Sequence, residues 1–109
     1  MQDLTISLIQ VSIQWENPEA NRTRFEKLIQ AHDMHSDVFI LPEMFTTGFS
    51  MNESVVEKYS ESSPTVLWMK KLAKEKKAAI CGSIILEENG ERKNRFVWVD
   101  SEQVVTYDK

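Results

Sequence analysis

Asp37-Val38-Phe39-Ile40-Leu41-Pro42-Glu43 is the segment from which the rest of the chain is most easily read. Its four consecutive apolar residues are too few for a helix and show no polar alternation, which predicts a strand covered on both faces. Pro42 ends that strand, because a residue without an N–H cannot continue the ladder. Glu43 then stands one step past the strand's end, where open α/β sheets place their ligand sites.

Upstream, Asn17-Pro18 is a helix start. Asparagine accepts from free N–H groups of the first turn, and proline suits the first helical position. Phe25, Leu28, Ile29 and His32 recur at i, i+3, i+4 and i+7 and give the helix one face to bury. Before it, Leu4–Val11 reads as a buried strand, with Leu4, Ile6 and Leu8 on one side and Ser7, Ile9 and Val11 on the other.

Downstream comes a loop containing Gly48 and a weakly helical stretch over 54–59. Ser63-Pro64 repeats the cap-plus-proline signal for a helix to about Lys77, with Val66, Met69, Leu72 and Ala73 as its apolar stripe. Ala78–Leu86 reads as a second buried strand. Asn89-Gly90 tolerates the positive φ of a two-residue hairpin turn, and Arg95–Val99 and Gln103–Tyr107 follow as antiparallel strands. Crossovers followed by a meander define an α/β layered fold. The final strand closes on Tyr107-Asp108-Lys109 without a capping helix, so the chain reads as part of a longer domain.

The composition excludes several classes. The 109 residues suffice for one domain. A net charge of -4 with both signs interspersed provides no basic stripe for nucleic acid. No stretch approaches the roughly 20 apolar residues of a membrane span. Met1-Gln2-Asp3 lacks the basic start of a signal peptide, and the single cysteine forms no internal disulfide. A cytoplasmic protein is expected.

Four side-chain types are candidates for chemistry. Glu43 would be partly desolvated beside Phe45 and Phe49, which raises its pKa toward the range useful for proton transfer. Taken alone, a loop glutamate is more often solvated. Lys109, at the end of a strand, is suited to donate to an oxyanion, although an isolated terminal lysine is ordinarily surface. Cys81 lies mid-strand among Ala79, Ile80, Ile84 and Ile85 and reads as a small buried hydrophobe. His32 and His35 lack further ligands at zinc spacing, so no metal is expected. Trp15, Trp68 and Trp98 read as packing residues, and Arg95 as surface.

Taken in order, these segments resemble the opening of the nitrilase superfamily of carbon–nitrogen hydrolases, and its ω-amidase branch in particular. The resemblance runs through Ile6-Ser7-Leu8-Ile9-Gln10, Val38-Phe39-Ile40-Leu41-Pro42-Glu43-Met44-Phe45-Thr46-Thr47-Gly48-Phe49, Ile80-Cys81-Gly82-Ser83-Ile84, Asn94-Arg95-Phe96 and Tyr107-Asp108-Lys109. Pro-Glu-Met-Phe-Thr-Thr-Gly-Phe and Asn-Arg-Phe are the parts that favour the ω-amidase branch.

The resemblance implies that residues 1–109 are the N-terminal portion of a single domain, a four-layer α-β-β-α sandwich that usually dimerises. It implies a Glu-Lys-Cys mechanism with Glu43 as general base and Lys109 stabilising the oxyanion. The nucleophilic cysteine then lies beyond residue 109, and this portion alone is expected to be inactive. The substrate implied is a small ω-amide such as 2-oxoglutaramate, with no organic cofactor or metal, and Phe45 and Phe49 are candidate pocket walls. Two alternatives remain open at this point: another superfamily amidase, carbamoylase or nitrilase, and a small non-enzymatic α/β binding domain.

Overall fold

The computed structural model describes residues 3–109. The strands are β1 (Ile6–Leu8), β2 (Val38–Ile40), β3 (Glu57–Lys58), β4 (Ala79–Glu88), β5 (Glu91–Val99) and β6 (Val104–Asp108). The helices are α1 (Pro18–Ala31) and α2 (Pro64–Lys76). One six-stranded sheet runs β1-β2-β4-β5-β6, with β3 pairing beside β2 on the same edge of β4. β1, β2, β3 and β4 pair in parallel, and β4, β5 and β6 pair antiparallel. The expected α/β class with crossovers leading into a meander is what forms.

Both helices pack on one face of the sheet. Phe25 and Ile29 from α1 join Met69, Leu72 and Ala73 from α2 over Phe39, Ile80, Ile84, Leu86, Val97 and Val99. On the other face, Val38, Ala79 and Cys81 are buried with Ile40, Phe96 and Trp98 only partly covered. Side chains alternate along strands and share a side across paired positions. Ile6, Leu8, Val105 and Tyr107 therefore belong to this second face, and they are 48%, 70%, 48% and 69% exposed. The chain supplies two layers, helices and sheet, with one sheet face open.

The asparagine–proline start of α1 forms as expected, with Asn17 Oδ1 accepting from the Ala20 N–H at 3.2 Å. At α2 the capping group differs. Ser63 Oγ donates to the Ser60 carbonyl at 2.7 Å, and it is the Glu57 carboxylate that takes the Thr65 N–H at 2.7 Å. An anion at a helix N-terminus also favours the helix dipole. That role explains the stretch expected to be weakly helical. A single 3-10 turn, Glu53–Val55, leads into β3, which lies along β4 and brings Glu57 to the helix.

β1 is shorter and more open than expected. It is the sheet's outermost strand, so Leu4, Ile6 and Leu8 face outward while Ile9, Val11 and Ile13 turn into the core. The hairpin is as read: Asn89 and Gly90 adopt φ of 55° and 80°, which join β4 to β5.

Candidate active site

β2 pairs with β4 at residues 79–81 and β3 with residues 86–87, which leaves part of the β4 edge free between them. The segment from Leu41 to Phe45 fills it. The Leu41 N–H donates to the Cys81 carbonyl at 2.7 Å and the Phe45 N–H to the Ser83 carbonyl at 3.2 Å. Ser83 Oγ takes the Met44 N–H at 3.0 Å. Such close contact needs a residue without a side chain on β4, because a Cβ added to Gly82 would lie 2.9 Å from Phe45 Cδ1 and 3.0 Å from Leu41 Cβ. Met44 turns the chain with φ of 50°, the left-handed region that non-glycine residues rarely occupy.

This turn carries Glu43 across β4 to the open sheet face. There Glu43 Oε2 accepts from Lys109 Nζ at 3.0 Å and from Asn94 Nδ2 at 2.9 Å. Glu43 and Lys109, 66 positions apart in sequence, thus form an ion pair. Asn94 links them from β5, because its backbone carbonyl also accepts the Lys109 N–H at 2.9 Å. By alternation Asn94 shares its sheet face with Phe96, Trp98 and Cys81.

The charge state of Glu43 differs from the sequence expectation. Its carboxyl is held below the usual carboxylate range, first by the Asn94 hydrogen bond and then by Lys109. Desolvation acts in the opposite direction but is outweighed, since the side chain remains 40% exposed. Glu43 is therefore an anion at neutral pH, the state a proton acceptor requires.

Phe45 is also corrected. It is fully buried beneath the loop, edge-on to Phe25 at 5.8 Å and against Trp68 at 5.8 Å, so it is core rather than a pocket wall. Burying a ring of that size stabilises by about 1.5–3 kcal/mol. Phe49 is 66% exposed. Cys81 is 2% exposed, and burial pushes its thiol up to about 11. A thiol that stays neutral far above physiological pH is no nucleophile.

Arg95 is not a surface residue. It is 6% exposed, forked onto Glu88 at 2.8 and 3.2 Å and paired with Asp108 at 3.0 Å. Its guanidinium lies 4.5 Å above the centre of the Tyr59 ring. Arg95 and Asp108 occupy the helix side of the sheet, so they anchor β6 from behind while Asn94 and Lys109 face the site. His32 lies within 3.3 Å of Ser7 Oγ and Ser36 Oγ, and His35 contacts Asp37. Among the described residues no group of three or more histidine, cysteine or acidic side chains is placed to hold a metal, and no helix is long and apolar enough to cross a membrane.

Sequence reasoning assigned no role to Asn94, Ser83 or Gly82. For Asn94 a signal was present: in Asn94-Arg95-Phe96-Val97-Trp98 the face that carries Phe96 and Trp98 ends on a polar amide.

The sequence profile described as carbon-nitrogen hydrolase matches residues 5–109. The omega-amidase YafV of Yersinia enterocolitica is 33% identical over 110 residues, which cover all of this chain and 42% of that protein. The 2-oxoglutaramate amidase of Bacillus subtilis is 31% identical over 101 residues, or 90% of this chain and 38% of that protein. Among solved structures, a CN-hydrolase superfamily protein from Xanthomonas campestris, with an arsenic adduct in its active site, superposes with a TM-score of 0.90. It is 39% identical, and the match covers 100% of this chain and 41% of that one. The chain thus spans about two-fifths of the length of these relatives.

Proposed function

The chain belongs to the carbon–nitrogen hydrolase family, and we propose that the intact protein hydrolyses a small ω-amide of a dicarboxylic acid, of the 2-oxoglutaramate type, to the acid and ammonia. The observation that carries this reading is the 3.0 Å pairing of Glu43 Oε2 with Lys109 Nζ across 66 positions. The 2-oxoglutaramate and omega-amide chemistry in the names of the Bacillus and Yersinia relatives supports the substrate class.

An amide is a poor electrophile, so its hydrolysis needs an activated nucleophile and a stabilised oxyanion. In this reading Glu43 takes the proton of a cysteine thiol supplied by chain beyond residue 109. The thiolate adds to the amide carbonyl, and the Lys109 ammonium donates to the oxygen as it becomes negative. Glu43 returns its proton to the nitrogen, the C–N bond breaks, and ammonia leaves a thioester. Glu43 then deprotonates a water, which attacks the thioester, and the carbon–sulfur bond breaks to release the acid and restore the thiol. One amide and one water are consumed, and one acid and one ammonia are formed.

A dimer and a cytoplasmic location belong to the same reading. Both rest on the family resemblance, and the open sheet face is the one that the second sheet of the sandwich would cover.

Ammonia release from 2-oxoglutaramate, glutamine, an N-carbamoyl amino acid and a nitrile tests the reading in the intact protein. Turnover should favour 2-oxoglutaramate, and Glu43→Gln should lower kcat by roughly 100- to 10,000-fold. Residues 1–109 alone should release none. Preference for the nitrile or the carbamoyl compound would move the protein to another branch of the family. No turnover of any compound would leave a non-enzymatic binding domain.

A further inference from the structure

We propose that Asn94 is the positioning residue of this site, holding Glu43 with its side chain and Lys109 with its backbone so that one Glu43 oxygen stays free to receive a proton. The proposal rests on the reading of Glu43 as the base. Three observations carry it.

First, Asn94 contacts both members of the pair by independent routes. Its Nδ2 donates to Glu43 Oε2 at 2.9 Å, and its carbonyl accepts from the Lys109 N–H at 2.9 Å. Because this bond continues the β5–β6 register by one residue, the lysine is set by the sheet and the carboxylate by the amide.

Second, both donors converge on the same oxygen. Oε2 receives Asn94 Nδ2 and Lys109 Nζ, whereas Oε1 has no hydrogen-bond partner among the described residues. Donors to Oε2 fix the plane of the carboxylate and keep its charge, and Oε1 remains the atom on which a proton can land.

Third, Asn94 is oriented for Glu43 at its own expense. Its Oδ1 is buried and accepts no hydrogen bond among the described residues. A buried acceptor without a donor is costly. Rotating the amide would turn that oxygen toward the Glu43 carboxylate, acceptor against acceptor, so the carboxylate fixes the orientation of the amide.

The experiment is the pH profile of kcat/KM for the intact enzyme on its amide substrate, with Asn94→Leu and Asn94→Asp. Leucine keeps the branched shape and removes the donor, and aspartate places a like charge against Glu43. Both keep the backbone carbonyl that holds Lys109. The acid limb should move to higher pH in Asn94→Leu and further in Asn94→Asp, because the ionised form of Glu43 loses its hydrogen bond and, in the second case, gains a repulsion. kcat should fall roughly 10- to 100-fold with KM unchanged, and Asn94→Ser, which restores a hydroxyl donor, should recover part of the loss. A residue that only stabilised the fold would lower the amount of active enzyme and leave the limb in place. Should aspartate prevent folding, the leucine and serine variants give the same comparison. An unmoved acid limb in variants whose Glu43→Gln counterpart is inactive would overturn the role of Asn94 and leave Glu43 as the base. Full activity in Glu43→Gln would overturn the functional reading itself.

Discussion

Arg95 and Asp108 stand opposite each other on β5 and β6, and the guanidinium forks onto the Asp108 carboxylate directly behind the Asn94–Lys109 backbone bond. One side of this strand pair therefore carries an ion cluster centred on the buried Arg95, and the other carries the candidate site. Glu88 and Lys93 complete the cluster.

Replacing Arg95 leaves Glu88 and Asp108 with Lys93 as their remaining cation. Arg95 is buried but its carboxylate partners are 32% and 39% exposed, so solvent screens part of the loss. Arg95→Leu should lower the Tm by about 5 °C and loosen β6, so that activity falls with Lys109 displaced. The double change Arg95→Leu with Asp108→Asn should recover part of the Tm. Thermal denaturation followed by circular dichroism decides, and a Tm equal to the wild type would show that the cluster contributes nothing.

Gly82 and Gly90 offer a contrast between space and backbone freedom. Gly90 has φ of 80° and nothing near a prospective Cβ, so Gly90→Ala should cost about 1 kcal/mol through backbone strain alone. Gly82→Ala instead drives a methyl into Phe45 and Leu41. Overpacking of this kind costs about 1–3 kcal/mol, and the movement of the loop carries Glu43 with it. Activity should fall at least tenfold in Gly82→Ala while remaining near wild type in Gly90→Ala. Equal kcat in the two variants would mean that the position of the loop bearing Glu43 does not matter to the reaction.

Cys81 should be inert. Because burial raises its thiol from 9.0 to about 11, folded protein should resist alkylation by iodoacetamide at pH 8 and react only when unfolded. The same shift has a sign for stability. Above pH 9 the unfolded chain releases the thiol proton while the folded chain keeps it, so the folded state binds more protons and stability falls from pH 9 to 11. Cys81→Ala should flatten that decline in denaturant titrations. Rapid alkylation of the native protein would contradict the buried, neutral thiol.

Much of the fold was legible because its signals are local. Asn17-Pro18 and Asn89-Gly90 specify a helix start and a hairpin within two residues each, and the apolar run 38–41 specifies a buried strand by itself. The departures share a different cause, in that each depends on a partner remote in sequence. Arg95 read as surface because nothing adjacent marks the register that brings Asp108 to it. Glu57 read as part of a weak helix because its role, closing α2 at Thr65, exists only once β3 lies along β4. Glu43 was read as desolvated from its apolar neighbours, but Phe45 turns into the core and hydrogen bonds from Asn94 and Lys109 set the charge instead. The Glu43–Lys109 pair emerged from the ordered motifs and not from either residue alone.

The loop that bears Glu43 is hydrogen-bonded along the free edge of β4 through Cys81 and Ser83. Asn94 is on β5 and Lys109 ends β6, and both strands extend from β4 by successive antiparallel pairing. The three groups consequently share one frame of motion. Flexing of the hairpin carries carboxylate, amide and ammonium together, so their spacing survives displacements that would separate groups mounted on independent loops. A ligand arriving at this face would meet a carboxylate, an amide and an ammonium whose spacing is set by one sheet.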